Sequence, residues 1–315
     1  MKTEKLYLYE GREDVTLTTY ILDDSRELLD GKKRPAVLVC PGGAYLNCSD
    51  REGEPVALRF AAMGYHAFVL RYSVLGRNAP DFNAFDFSKK PEPNPDCVYP
   101  GPQRDIARAM LTIRAHAAEW LVDADRVAIC GFSAGAHNCA MYSVYWDDPV
   151  TREPFGCTAE ELRPAAAILA YTLSDYVFMQ GELQKMEGIG KGLFDLCNLA
   201  FLGTTDPDGA TLDKVSPARH ITKNTPPTFL WATAGDNLVP VQHTLLMANA
   251  LATAGVPFEV HVFEEGDHGL SLADQSTAVA RVQIDPDASK WVGLAEAWLQ
   301  KRLALDLPDQ LSWNI

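Results

Sequence analysis

The sequence of 315 residues is poor in basic residues, with 28 Lys and Arg against 42 Asp and Glu, a formal net charge of −14 and a pI near 4.9. Such a charge repels polyanions and no basic cluster offsets it, so we expect no nucleic-acid partner. The sequence also lacks an apolar N-terminal segment and any apolar run of membrane-spanning length. We therefore expect neither Sec-type export nor a membrane partner.

Cysteine is sparse, with seven residues scattered along the chain and no Cys-x-x-Cys motif or Cys/His cluster. This pattern predicts neither a disulfide framework nor a zinc site, and no motif calls for a metal or another cofactor. Thiols that stay reduced are typical of the cytoplasm, which is the expected location.

Linkers, repeats and low-complexity segments are also missing, so residues 1–315 are predicted to form one domain. Two long irregular segments, at about 78–102 and 172–215, are interpreted as insertions that shape a pocket. The remaining sequence alternates between apolar strand-length runs and amphipathic helices, which predicts a mostly parallel sheet with helices on both faces. The predicted strands are 6–9, 15–22, 36–40, 66–71, 127–131, 165–171, 228–233 and 258–263; the predicted helices are 55–63, 103–120, 136–146, 193–202, 241–254 and 289–303.

The most informative stretch is Gly131-Phe-Ser-Ala-Gly135, which fits the pattern Gly-x-Ser-x-Gly. It follows a predicted strand and precedes a predicted helix, the context in which a sharp turn exposes a serine nucleophile. A short pattern of small residues also occurs in ordinary turns. The strand and helix around Ser133 favour a catalytic serine.

A nucleophilic serine needs a base and an acid that orients the base. His268 is the best candidate base, because it lies in a glycine-flanked loop directly after the last predicted strand. Asp236 follows the strand at 228–233 and precedes His268, which gives the chain order Ser, Asp, His that this architecture uses. Asp267 is adjacent to His268 and is poorly placed to reach its ring, while His137 is interpreted as a packing residue on the helix after Ser133.

The oxyanion hole of such a site uses the backbone N–H after the nucleophile and a second one from the loop after an earlier strand. Ala134 is the first predicted donor. The loop Pro41-Gly-Gly-Ala44 follows the strand at 36–40, and Gly43 and Ala44 are the other predicted donors.

With these motifs in place, the sequence resembles α/β hydrolases of the bacterial acetyl esterase and carboxylesterase branch, close to hormone-sensitive-lipase-like and sugar or xylan acetyl esterases. The resembling stretches are Pro-Gly-Gly-Ala-Tyr at 41–45, Arg-Glu-Gly-Glu-Pro-Val at 51–56, Gly-Phe-Ser-Ala-Gly at 131–135, Thr-Pro-Pro-Thr-Phe-Leu-Trp at 225–231, Gly-Asp and Leu-Val-Pro within 235–240, and Gly-Asp-His-Gly at 266–269. The resemblance implies an α/β-hydrolase fold without a large separate cap, and it places Ser133, Asp236 and His268 on the family triad. The chain departs from the family at Pro41-Gly-Gly-Ala44, where lipase-type relatives have His-Gly-Gly-Gly.

The predicted function is that of a carboxylic ester hydrolase, a serine esterase acting on short acyl esters of small molecules or oligosaccharides, with acetyl as the expected acyl group. Tyr45, Tyr72 and Tyr99 lie near predicted strand ends and are candidates for contacts with a sugar, although aromatic residues at such places are more often core. A prolyl-oligopeptidase-like peptidase and a non-catalytic small-molecule-binding protein are the alternatives. The C-terminal stretch 305–315 could dock on its own domain or on a second copy in a homo-oligomer.

Overall fold

The structure is a computed structural model that describes residues 1–79, 81, 84–85, 91–183 and 189–310. Its centre is an eight-stranded sheet with the order β1-β2-β4-β3-β5-β6-β7-β8. β1 and β2 pair antiparallel, β2 runs antiparallel to β4, and the other strands are parallel. The strands are β1 Lys2–Tyr9, β2 Arg12–Ile21, β3 Arg34–Cys40, β4 His66–Arg71, β5 Val122–Phe132, β6 Ala166–Ala170, β7 Thr228–Thr233 and β8 Phe258–Phe263.

Helices cover both faces of this sheet, and alternate side chains of β3 belong to different cores. Leu38 packs into the larger core, whereas Val37 and Val39 pack into the smaller one. The helices are α1 Glu54–Ala62, α2 Gly101–Ala115, α3 Ala134–Tyr145, α4 Pro149–Arg152, α5 Tyr176–Leu183, α6 Ile189–Leu202, α7 Gly209–Lys214, α8 Gln242–Ala254 and α9 Trp291–Gln300. Helices α2, α3 and α8 contribute to the larger core, and α1 and α9 contribute to the smaller one. The predicted mostly parallel α/β architecture is therefore confirmed.

The structure differs from the sequence prediction in two places between β4 and β7. Helix α2 ends at Ala115 rather than at 120, because the chain turns there and β5 already begins at Val122. A shift in the pairing of β3 with β5 accommodates the segment 123–126, with its charged residues Asp123, Asp125 and Arg126, within the longer strand. The segment 172–215, predicted to contain one helix, contains α5, α6 and α7. The Asp208 side chain caps α7, accepting from the backbone N–H of Thr211 at 2.7 Å.

Two other predictions lie partly outside the described residues. The insertion at 78–102 includes residues 80, 82–83 and 86–90, and the C-terminal stretch includes residues 311–315. The predicted docking of the C-terminal stretch stays a prediction, as does a single domain over the whole chain.

A buried carboxylate ties the antiparallel strands to the rest of the molecule. Asp105 on α2 accepts a hydrogen bond from the Tyr9 hydroxyl at 2.8 Å and another from the backbone N–H of Ser73 at 2.7 Å. Burial raises the pKa of Asp105 from 3.8 to about 6, despite these two donors.

We expect Asp105→Asn to change how stability depends on pH. Between about pH 4 and 6 the native protein binds a proton at Asp105 that the unfolded chain has released, so the contribution of this group to stability falls as pH rises through that range. A shift of about two pKa units corresponds to about 3 kcal/mol. Urea unfolding at a series of pH values should show the wild type losing about 2 kcal/mol relative to the variant between pH 4 and 7. Parallel curves for the two proteins would contradict the raised pKa.

Candidate active site

Ser133 occupies the sharp turn between β5 and α3. Its φ of 51° and ψ of −119° lie in a region that non-glycine residues rarely adopt. The turn is held by hydrogen bonds from the Ser133 N–H to the carbonyl of Ala170 at 3.1 Å and from the His137 N–H to the carbonyl of Ser133 at 2.9 Å. The strained serine turn predicted from Gly-x-Ser-x-Gly is therefore present.

Glycines make this turn possible because the chain packs directly against the loop after β3. A Cβ on Gly135 would lie 2.1 Å from the carbonyl oxygen of Cys40, closer than any side chain tolerates. A Cβ on Gly42 would lie 2.9 Å from the Cβ of Ser133. The two loops can approach this closely only where both residues lack side chains.

Ser133, His268 and Asp236 form one hydrogen-bonded chain. The Ser133 Oγ lies 2.8 Å from Nε2 of His268, and Nδ1 of His268 lies 2.7 Å from Oδ2 of Asp236. The Asp236 side chain is fully buried and that of His268 is 12% exposed. The three residues follow the carboxyl ends of β5, β7 and β8. In the sheet, β6 lies between β5 and β7, and β8 pairs with β7.

The partners of Asp236 determine which ring nitrogen of His268 carries the proton. Its Oδ1 accepts from the backbone N–H groups of Leu238 at 3.0 Å and Val239 at 2.8 Å, so Oδ2 is left for the imidazole. A carboxylate can only accept, and Nδ1 of His268 is therefore the donor. In the neutral ring Nε2 then has a free lone pair directed at the Ser133 hydroxyl, as a general base requires.

Three backbone N–H groups flank the serine. Ala134 is the first residue of α3, where N–H groups have no partner within the helix. The N–H groups of Gly43 and Ala44 donate to no acceptor among the described residues, whereas that of Gly42 is bound to Glu52. Gly43, Ala44 and Tyr45 all have positive φ, between 58° and 128°. Ala44 thus adopts the left-handed backbone of the loop even without glycine.

A small pocket of about 40 Å³ opens beside the Ser133 side chain. It is lined by Ala44, Tyr45, Ser133, Ala134, His137, Leu173, Tyr176, Leu193, Phe194, Cys197, Leu238 and Val239. The wall from the 172–215 segment was predicted, and α5 and α6 supply it. No described residue of the 78–102 insertion lines the pocket.

Two polar side chains that line the pocket, those of His137 and Tyr45, form a hydrogen bond with each other. Nε2 of His137 lies 2.9 Å from the carbonyl oxygen of Val215, which fixes that nitrogen as a donor. Nδ1 then accepts the hydroxyl proton of Tyr45 at 2.7 Å. Burial lowers the pKa of His137 to about 4, so this ring is neutral at physiological pH. His137 is a packing residue as predicted, but it also forms part of the pocket, which the sequence did not indicate.

The predicted aromatic contacts divide between the pocket and the core. Tyr45 lines the pocket, with its hydroxyl committed to His137. Tyr72 is fully buried and donates to the carbonyl of Pro41 at 2.7 Å, outside the pocket lining. Tyr99 is half-buried and lies edge-on against Phe201, also outside the lining. The positions of Tyr72 and Tyr99 therefore do not support the predicted substrate contacts.

The described residues contain neither a metal-binding cluster nor a membrane-spanning helix. No group of three or more His, Cys, Asp or Glu side chains there is arranged to hold a metal ion. Within the same ranges, no helix combines the length and the apolar character needed to cross a membrane.

The fold and the Ser133, His268 and Asp236 geometry together are those of an α/β hydrolase. A family model described as BD-FAE matches residues 92–251, just over half of the chain. The chain belongs to the BD-FAE family. The resemblance to α/β hydrolases inferred from the sequence is thereby confirmed.

Solved structures and a curated protein extend this relationship. The α/β hydrolase MGS-M1 from a Medee basin deep-sea metagenome library is 30% identical, with a TM-score of 0.70 over 97% of this chain and 99% of that one. An acetyl ester-xyloside bifunctional hydrolase from Caldicellulosiruptor lactoaceticus is 29% identical, with a TM-score of 0.69 over 95% and 96% of the two chains. Endo-1,4-beta-xylanase B of Butyrivibrio fibrisolvens is 32% identical over 78% of this chain.

The matches to curated proteins cover only part of those proteins. The chain spans 34% of the length of the xylanase and just under half of the other two curated relatives that it matches. The class of enzyme predicted from the sequence, a carboxylic ester hydrolase, agrees with the ester hydrolases among these relatives.

Proposed function

We propose that this protein is a serine esterase that hydrolyses short-chain acyl esters, with acetyl as the preferred acyl group. The observation that carries the proposal is the unbroken line of hydrogen bonds from Ser133 through His268 to the buried Asp236. It supports the proposal because the Ser133 hydroxyl, with a base at hydrogen-bond distance, lies beside a small pocket and near backbone N–H groups that have no acceptor among the described residues. These are the parts that acyl transfer from an ester requires.

The reaction follows from these positions. Nε2 of His268 takes the hydroxyl proton as the Ser133 Oγ attacks the ester carbonyl, and the N–H groups of Ala134, Gly43 and Ala44 stabilise the negative charge on the carbonyl oxygen. The imidazolium, stabilised by Asp236, protonates the leaving alcohol as the carbon–oxygen bond breaks. Water, deprotonated by the same nitrogen, then releases the carboxylic acid and regenerates the serine.

The size and lining of the pocket support a short acyl group. A volume of about 40 Å³ is far below the roughly 300–1,000 Å³ of pockets that hold drug-sized ligands. Leu193 and Phe194 from α6 close one side, and Leu173 and Tyr176 close another. An acetyl group fits such a space with small adjustments, whereas an octanoyl chain needs side chains to move.

The alcohol is proposed to be a carbohydrate. The support comes from relatives, one of which is described as an acetyl ester-xyloside hydrolase and another as a xylanase. We also propose a cytoplasmic location, because all seven cysteines of the chain are unpaired, as expected in a reducing compartment.

The first test is hydrolysis of p-nitrophenyl esters from acetate to octanoate, followed by acetylated xylo-oligosaccharides. We expect the highest kcat/KM with acetate and a steep fall beyond butyrate. Ser133→Ala should abolish turnover, and Asp236→Asn should lower kcat by about 10³- to 10⁴-fold because the imidazole loses its orienting acceptor.

Asp267→Asn is the matched control, since Asp267 adjoins His268 but is exposed and lies 3.5 Å from the Asn237 amide. It should retain wild-type kcat. Appreciable activity of Ser133→Ala, or cleavage of proline-containing peptides without any esterase activity, would refute the proposal.

The limit on acyl chain length can be tested by truncating one side chain in the wall of the pocket. Leu193→Ala should raise kcat/KM for p-nitrophenyl hexanoate about 4- to 15-fold relative to acetate, because each methylene buried in the enlarged pocket contributes about 0.8 kcal/mol and one to two become buried. Leu202→Ala removes the same atoms from a half-buried residue of the same helix outside the lining, and should leave the preference unchanged. Equal profiles for all three proteins would show that this pocket does not hold the acyl chain.

A further inference from the structure

Glu52 is a buried carboxylate that the proposed reaction does not use. It is 4% exposed, and no cationic side chain among the described residues forms an ion pair with it. Burial of a carboxylate is costly unless hydrogen bonds compensate for it. Its Oε2 accepts from the backbone N–H of Gly42 at 2.7 Å, and its Oε1 accepts from the Tyr171 hydroxyl at 2.6 Å.

The bond to Gly42 acts on the loop that carries the predicted oxyanion donors. Gly42 is also held at its carbonyl, which accepts from the Ser49 N–H at 2.9 Å. Because the C=O and N–H of a trans peptide point in opposite directions, fixing this carbonyl also fixes the direction of the Gly43 N–H. The next carbonyl, that of Gly43, accepts from Leu46 at 2.8 Å and so orients the Ala44 N–H in the same way.

The bond to Tyr171 reaches the histidine loop. The Tyr171 hydroxyl donates to Glu52 and accepts from the backbone N–H of Ser271 at 3.0 Å. Its ring lies edge-on to His268, with centroids 5.1 Å apart. The Glu52 carboxylate therefore connects the loop after β3 with the loop that carries His268.

The neighbouring residue of the same turn makes a second connection. Arg51 donates from Nη1 to the carbonyl of Gly269 at 3.0 Å, and its own carbonyl accepts from the Ser271 hydroxyl at 2.7 Å. The motif Arg51-Glu-Gly-Glu-Pro-Val56, which the sequence comparison singled out without assigning a role, thus contacts both loops.

We propose that Glu52 is a positioning residue that orients the oxyanion donors through Gly42 and the histidine loop through Tyr171. The proposal rests on the proposed function, because it assigns Glu52 to the same site. Its contribution appears as charge develops on the substrate oxygen, so its loss should lower kcat with little change in KM.

The test compares Glu52→Gln with Glu54→Gln. Glu54 is an exposed glutamate two residues further along that accepts from the Tyr20 hydroxyl at 3.0 Å, away from the site. For p-nitrophenyl acetate, Glu52→Gln should lower kcat about 10- to 100-fold with KM within about threefold of wild type, since loss of a whole oxyanion donor costs about 10² to 10³. Glu54→Gln should match the wild type.

A second readout does not require turnover. The rate constant for covalent labelling of Ser133 by a p-nitrophenyl phosphonate also depends on the oxyanion donors, and should fall by the same factor in Glu52→Gln. If the wild type is labelled but hydrolyses no ester, the proposed function fails while this comparison still decides the role of Glu52.

If Glu52→Gln does not fold, Tyr171→Phe is the replacement variant, with Tyr20→Phe as its control. The labelling rate constant of Tyr171→Phe should fall about 5- to 20-fold. Wild-type labelling rates in the folded variants would overturn the proposal.

Discussion

The site depends on the close approach of two backbone turns. The turn at Ser133 packs so tightly against the loop after β3 that a Cβ on Gly135 would meet the Cys40 carbonyl at 2.1 Å. This contact places the serine hydroxyl beside the loop that carries Gly43 and Ala44. The φ of 51° at Ser133 is the strained backbone that the approach requires, and the parallel strands on either side of β5 hold it in place.

Hydrogen bonding then assigns different tasks to the two histidines near Ser133. His268 has a carboxylate at Nδ1, which leaves Nε2 as an acceptor facing the serine. His137 has a carbonyl at Nε2, which leaves Nδ1 as an acceptor for Tyr45. The first arrangement can take a proton from a nucleophile and be stabilised as a cation. In the second arrangement, His137 is buried, stays neutral and forms part of the pocket wall.

The residues that the sequence could predict are those whose position follows from the ends of strands. Ser133, Asp236 and His268 each lie within five residues of the end of a strand, and parallel strands bring such positions to one edge of a sheet. The sharp turn at Ser133 was likewise expected from the strand and the helix on either side of it, and its φ is positive. The fold class followed from the alternation of strands and helices for the same reason.

The remaining residues were not predictable because distant partners decide their roles. Tyr72 lies just after β4, but its hydroxyl donates to the carbonyl of Pro41 and the residue does not line the pocket. His137 depends on a carbonyl 78 residues further along the chain, at Val215. Glu52 acquires its position from Tyr171, 119 residues away. The end of a strand predicts where the backbone of a residue lies. Contacts with residues distant in the sequence determine the direction and the role of its side chain.

Covalent labelling is the measurement that tests the central claim most directly. The protein would be incubated with diethyl p-nitrophenyl phosphate, and the adduct would be counted and located by intact-mass and peptide mass spectrometry. The account predicts one diethylphosphoryl group per chain on Ser133, with none on Ser133→Ala and much slower labelling of Asp236→Asn than of Asp267→Asn. Ester hydrolysis that persists while Ser133 stays unlabelled, or labelling at another residue, would contradict it.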